Sequence, residues 1–194
     1  MINKLINNKL YIAGTLLLCV LIYLLNYCAA IYQCALIFTM IAITVNVTTA
    51  SAGRLKSLTG LGLAIFTSFT LLRQLPYYID GHLVNGLVFA SFLSLITSLY
   101  FSTSAFTRFY SRFGFVIANV LSLGIAAIID GFVMGLFFVI NNNFSYARIM
   151  DIFNRELSYK MFYGLVASLL IFSVTRILQK GAVRLPEYKR KTLT

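Results

Sequence analysis

Long apolar runs, broken by short polar stretches, make up most of this chain. Six of them approach or exceed the length of a membrane crossing, at about 10–27, 29–49, 57–73, 84–106, 113–141 and 159–179. A helix needs about 20 mostly apolar residues to cross the hydrocarbon of a bilayer. The pattern predicts an all-α, polytopic membrane protein with six transmembrane helices in a single integral domain over 1–194. A basic tail over 180–194 follows the last run. The third run is short, and the fifth is long enough to tilt or to extend past the bilayer. The link from Asn26 to Ala30 is so tight that the first two helices should form an antiparallel hairpin.

Two polar stretches have structure of their own. Residues 142–158 read as a loop and a short amphipathic helix, with Phe144, Ile149, Ile152 and Phe153 for the membrane surface or the bundle. Residues 71–83 hold Arg73, Gln74, a turn at Pro76, two tyrosines and Asp80, as either a lid over a cavity or an interfacial turn.

Composition narrows the class. The chain is 60% hydrophobic and 11% charged, too few charges to coat a water-soluble fold of 194 residues. The first run follows Lys4 and Lys9 without a small-residue cleavage site, so it reads as a retained helix. The net charge is +11. With a cytoplasmic N-terminus, twelve of the sixteen basic residues fall in cytoplasmic segments, including Arg54, Lys56, Arg108, Arg112 and the tail. Arg73, Arg148, Arg155 and Lys160 fall outside, with Asp80, Asp151 and Glu156. This bias places both termini in the cytoplasm. The basic residues flank membrane spans, so they suit anionic headgroups and not nucleic acid.

Candidate chemistry is sparse. Cys19, Cys28 and Cys34 have no metal-ligand spacing, and His82 is the only histidine. No metal, cofactor or enzymatic set is expected. The polar residues inside the runs are more informative. In ANVLSLGIAAIIDGF (118–132), Asn119, Ser122, Ala126 and Asp130 recur on one helical face. A charged Asp in a span costs about 2.5–3.5 kcal/mol on insertion scales and tends to face the bundle interior. No Lys or Arg is clearly central in any run to partner it. The preceding run aligns with this one at an offset of 28, setting Ser91, Ser94, Ser98 and Ser102 against that stripe. This is an internal repeat or a chance match between apolar segments. Asn46, Thr48 and Thr49 add polar groups to the second run. NVT at Asn46 and NFS at Asn143 match the glycosylation pattern, the first inside a span.

These motifs resemble the bacterial queuosine precursor transporter family (VUT or YhhQ-type). That family carries R-N-N-L-S-x-L-I-S-Q-x-x-D in its fifth span, matched here at Asn119, Leu121, Ser122 and Asp130. ASFLSLITS (90–98) with Phe106 matches its fourth span, Phe38 and Gly53 its second, and Lys160 the start of its last. The chain departs from the family where acids are expected, having Asn46, Ser102 and Ala167, and where a Gln is expected, having Ala127. The resemblance implies a divergent member importing a 7-deazaguanine across the bacterial inner membrane. Amides, a carboxylate and aromatic rings suit such a ligand, so Asp130, Asn119, Asn46, Ser122 and Ser91 are the candidate substrate-binding residues. The alternatives are a substrate-binding subunit of an importer powered by separate ATPase chains, since no Walker motif occurs, and a non-transport scaffold. Expected partners are the lipid bilayer, a small-molecule substrate, and either a second copy or ATPase subunits.

Overall fold

Hydrocarbon offers no partner to a backbone amide, so a chain this apolar satisfies its peptide groups within helices. The structure, a computed structural model, describes residues 2–28, 30–72, 78–79, 82–83, 86–141 and 144–180. The helices are α1 (Ile2–Tyr27), α2 (Ile31–Ala52), α3 (Arg54–Leu72), α4 (Leu87–Ile140) and α5 (Tyr146–Lys180). Among the described residues, five helices are long and apolar enough to cross a membrane, the build of a multi-pass α-helical membrane protein. Between α3 and α4, Tyr78–Ile79 (β1) pairs antiparallel with His82–Leu83 (β2). The expectations for Arg73, Gln74, Pro76 and Asp80, for Asn143, and for the tail after Lys180 lie outside the described residues.

A straight helix the length of α4 would reach about 80 Å. Gly114 prevents this. Its φ of 78° and ψ of 179° break the helical path, a conformation in which a side chain is strained. The arms before it (87–113) and after it (115–140) lie antiparallel. Phe106 packs on Phe115 near the turn, Ser102 bonds the Ser122 carbonyl further up, and Ser94 bonds Asp130 further still. The break that the sequence suggested between 106 and 113 is therefore one residue wide, and Arg108 and Arg112 are helical. Gly53, with φ 93°, makes the equally short turn from α2 to α3.

The last helix corrects a second expectation. Residues 146–158 are not a separate amphipathic helix but the first turns of one continuous α5. It runs antiparallel to the second arm of α4. Ile149 approaches Gly135, Phe153 lies on Gly131, Leu123 lies on Gly164, and Ser168 bonds Asn119.

Packing divides the bundle. Leu18, Ile22, Ile41, Val45, Leu61, Ile65, Phe92 and Leu99 join α1, α2, α3 and the first arm of α4 in an apolar core. Gly14 and Gly60 let these helices close up, since a Cβ on either would stand 2.8 Å from the Thr48 hydroxyl or 2.7 Å from that of Thr15. Many hydroxyls bond their own helix. Thr15, Thr39, Thr44, Thr48 and Thr49 each donate to the carbonyl four residues back, which satisfies them in lipid without a partner helix. Lys9, Arg54, Lys56, Arg108 and Arg112 gather at the end holding the Gly53 and Gly114 turns, where Lys56 bonds Asn8 and Arg54 lies over Tyr100.

These contacts predict graded effects of glycine substitution. A Cβ at Gly131 or Gly164 would fall 2.5 Å from Phe153 or Leu123, whereas one at Gly62 meets nothing within 4 Å. Gly131→Ala and Gly164→Ala should each lose about 1–3 kcal/mol from overpacking, and Gly114→Ala a similar amount from backbone strain. Gly62→Ala should be neutral or stabilising. Unfolding of the purified variants in detergent measures the order.

Candidate functional site

The second face of α2 meets both arms of α4 and α5 along a line of polar and small side chains. Each helix contributes at intervals of four, so each contribution stays on one face. On α2 these are Phe38, Ala42 and Asn46, and on the first arm Ser94, Ser98 and Ser102. The second arm brings Asp130, Ala126 and Ser122, and α5 brings Lys160, Gly164 and Ser168. All twelve are buried. Two polar layers result, about 12 Å apart at 1.5 Å per residue, with Ala42, Ser98, Ala126 and Gly164 between them.

The layer nearer the Gly114 turn is a network of amides and hydroxyls. Asn46 Nδ2 donates to Asn119 Oδ1 at 2.8 Å and to Ser122 Oγ at 3.0 Å. Ser122 Oγ donates to the Asn119 carbonyl, and Asn119 Nδ2 donates to Ser168 Oγ at 3.0 Å. Ser102 Oγ donates to the Ser122 carbonyl at 2.9 Å. Asn46 Oδ1 is buried and receives no hydrogen bond. An unmet acceptor costs about 1–3 kcal/mol. The burial of Asn46 also disposes of its glycosylation match.

The other layer is ionic. Asp130 is buried with its Oδ1 accepting from Ser94 Oγ at 2.5 Å and its Oδ2 from the Lys160 ammonium. Lys160 is 1% exposed. It also bonds Glu156 Oε1 at 2.7 Å, one turn back along α5, and its Nζ stands 4.0 Å from the centre of the Phe38 ring. Helical side chains lean toward the N-terminus of their own helix. That lean carries the Lys160 amine from mid-helix toward Asp130 and Glu156.

Three of the residues singled out in the sequence, Asn46, Asn119 and Ser122, thus bond one another across two helices. Asp130 lies in the other layer, apart from them. Ser91 is half-buried and takes no part in these bonds. The serine stripe splits by role, since Ser94 and Ser102 reach the opposite arm while Ser98 bonds its own helix at Leu95. What sequence reasoning missed is the role of Lys160. The positive-inside pattern set it outside the membrane with Arg148 and Arg155, but it sits in the bundle as the partner Asp130 lacked. The signal was available, because Glu156, Lys160, Gly164 and Ser168 share one helical face once 146–180 is read as one helix.

In comparisons with known proteins, no family model, no curated protein and no solved structure matched this chain.

The ion pair sets a stability test. Lys160→Met leaves two carboxylates without their cation and should cost about 3–5 kcal/mol, whereas adding Asp130→Asn should restore much of that loss. A double-mutant cycle on unfolding in detergent reads the coupling. Independent, additive losses would show that the pair does not hold the bundle.

Proposed function

We propose that this chain is a carrier of the bacterial inner membrane that crosses the bilayer six times, with both termini cytoplasmic. Its substrate is a small planar heterocycle of the 7-deazaguanine type. The observation that carries this reading is the buried file of polar and small side chains running through α2, both arms of α4 and α5. Polar and charged groups within membrane helices mark solute pathways, proton relays or ligand sites. The small residues between the two layers supply width as soon as the helices part. Asparagine offers donors and acceptors together, as a lactam ring requires, and the open acceptor of Asn46 matches a ring N–H. Counting the arms of α4 separately gives six long helical segments, which supports six crossings. The basic residues at the Gly53 and Gly114 turns favour a cytoplasmic location for that end.

A second reading has one observation in its favour. Apart from Asn46 Oδ1, the side chains of the two layers bond one another, as they would in a purely structural core. A subunit serving a separate ATPase would use the same core and differ in its partners.

Uptake separates these readings. Cells unable to make 7-deazaguanines should accumulate the labelled base when this chain is expressed, and the purified chain should move it across vesicle membranes unaided. Asp130→Asn and Asn46→Ala should each lower the initial rate about tenfold or more while the protein still reaches the membrane. Uptake in cells but not in vesicles would favour the ATPase-dependent subunit. No uptake in either, with binding also absent, would leave the structural role. A phosphatase fused after Thr194 should stay inactive, as a cytoplasmic terminus requires.

A further inference from the structure

The ionic layer has more acid than it needs. Asp130 and Glu156 share the single ammonium of Lys160, and the two acids differ in depth. The Asp130 side chain is 8% exposed and that of Glu156 is 21% exposed. Lys160 lies between them and over the Phe38 ring, which is itself buried. One ammonium therefore already touches two alternative partners. Moving fully to Glu156 takes it along its own helix toward the more exposed side without losing its charge pairing. It would leave Asp130 with the Ser94 hydroxyl alone. A buried carboxylate stripped of its cation is strongly unfavourable, so Lys160 stays unless something replaces it.

What replaces it is constrained by what the site retains. Asp130 Oδ2, freed of Lys160, can accept N–H bonds, and a carboxylate pairs best with two adjacent parallel donors. The Phe38 ring, freed of the ammonium, offers a flat apolar face that suits a planar π-system or a delocalised cation. Ser94 fixes the carboxylate from the far side at 2.5 Å. Ala42, Ser98, Ala126 and Gly164 continue from this place toward the amide layer.

We propose that the Lys160 ammonium is a placeholder for ligand. The place between Asp130 and the Phe38 ring takes a planar group presenting two adjacent N–H donors, and Glu156 receives Lys160 when that group enters. The 2-amino-lactam edge of a 7-deazaguanine has this chemistry, and so does a guanidinium. The choice of the first rests on the transport reading given above, whereas the exchange at Asp130 does not. Without ligand the ion pair closes the path. With ligand, each acid keeps a partner throughout, so opening is tied to occupancy through the differential affinity of the two states.

Calorimetry on the full chain in detergent tests this with three probes: 7-deazaguanine, 7-deazaadenine (which has no such pair of donors) and methylguanidinium. The expected result is binding of 7-deazaguanine about tenfold or more tighter than 7-deazaadenine. Phe38→Leu and Glu156→Gln, which keep the Asp130–Lys160 pair, should each weaken that binding about tenfold. Binding of methylguanidinium alone, with the same two sensitivities, would support the exchange and refute the deazaguanine reading. Binding of 7-deazaguanine that Asn46→Ala abolishes, but that Phe38→Leu and Glu156→Gln leave unchanged, would uphold carriage and overturn the placeholder. Absence of binding by every probe would overturn both.

Discussion

An ionised carboxylate in the middle of an apolar bundle must find a cation or stay out of the membrane. Asp130 meets that requirement through Lys160, and much of the architecture follows. The bond joins the second arm of α4 to α5, whose close approach depends on Gly131 and Gly164. The same ammonium lies on Phe38, which brings α2 into the contact. Ser94 ties in the first arm from the opposite side of the carboxylate. Four helical segments thus converge on one charge. The amide layer lower in the bundle repeats the arrangement without ions, joining α2, α4 and α5 through Asn46, Asn119 and Ser168.

The bundle has two halves with different physics. Around α1, α3 and the facing sides of α2 and α4, contact is mainly between apolar side chains and small residues; most hydroxyls there bond their own helix, while Ser57 donates to the Val45 carbonyl of α2 and Ser68 to the Cys19 carbonyl of α1. Lipid does not drive apolar helices together, so this half relies on close packing. Around α5, hydrogen bonds and an ion pair hold the helices through directional contacts. The polar file lies on this directionally bonded side.

Much of this was legible in the residues. Run lengths gave the helices, and the tight Asn26–Ala30 link gave the α1–α2 hairpin. The three- and four-residue spacing of Asn119, Ser122, Ala126 and Asp130 picked out a face that is in fact buried. Asn46 was marked as a polar intruder in an apolar run, and it bonds the very stripe it was grouped with. What was not legible depended on distance in sequence. Charge counting treats a lysine near a polar stretch as a surface residue, so Lys160 was set outside the bundle. Its burial follows only from the antiparallel register of α5 on α4. The extent of α5 was hidden for a related reason, because charges at 151, 155, 156 and 160 lower local apolarity without interrupting helical periodicity. Ser91 differs from the serines that follow it. It has the right spacing but lies one turn beyond the last cross-helix bond.

The turn at Gly114 has a mechanical consequence. With a single non-helical residue joining them, the two arms of α4 behave as the legs of a caliper whose pivot is at the basic end. Ser94 lies twenty residues from the pivot, about 30 Å along its leg. A rotation of about 8° there would part the legs by about 4 Å at Ser94 and by less than about 2 Å at Phe106. Displacement of this kind is largest at the level of Asp130 and smaller at the amide layer, which sits closer to the pivot. The position of one glycine thereby sets which layer such a rotation would displace most.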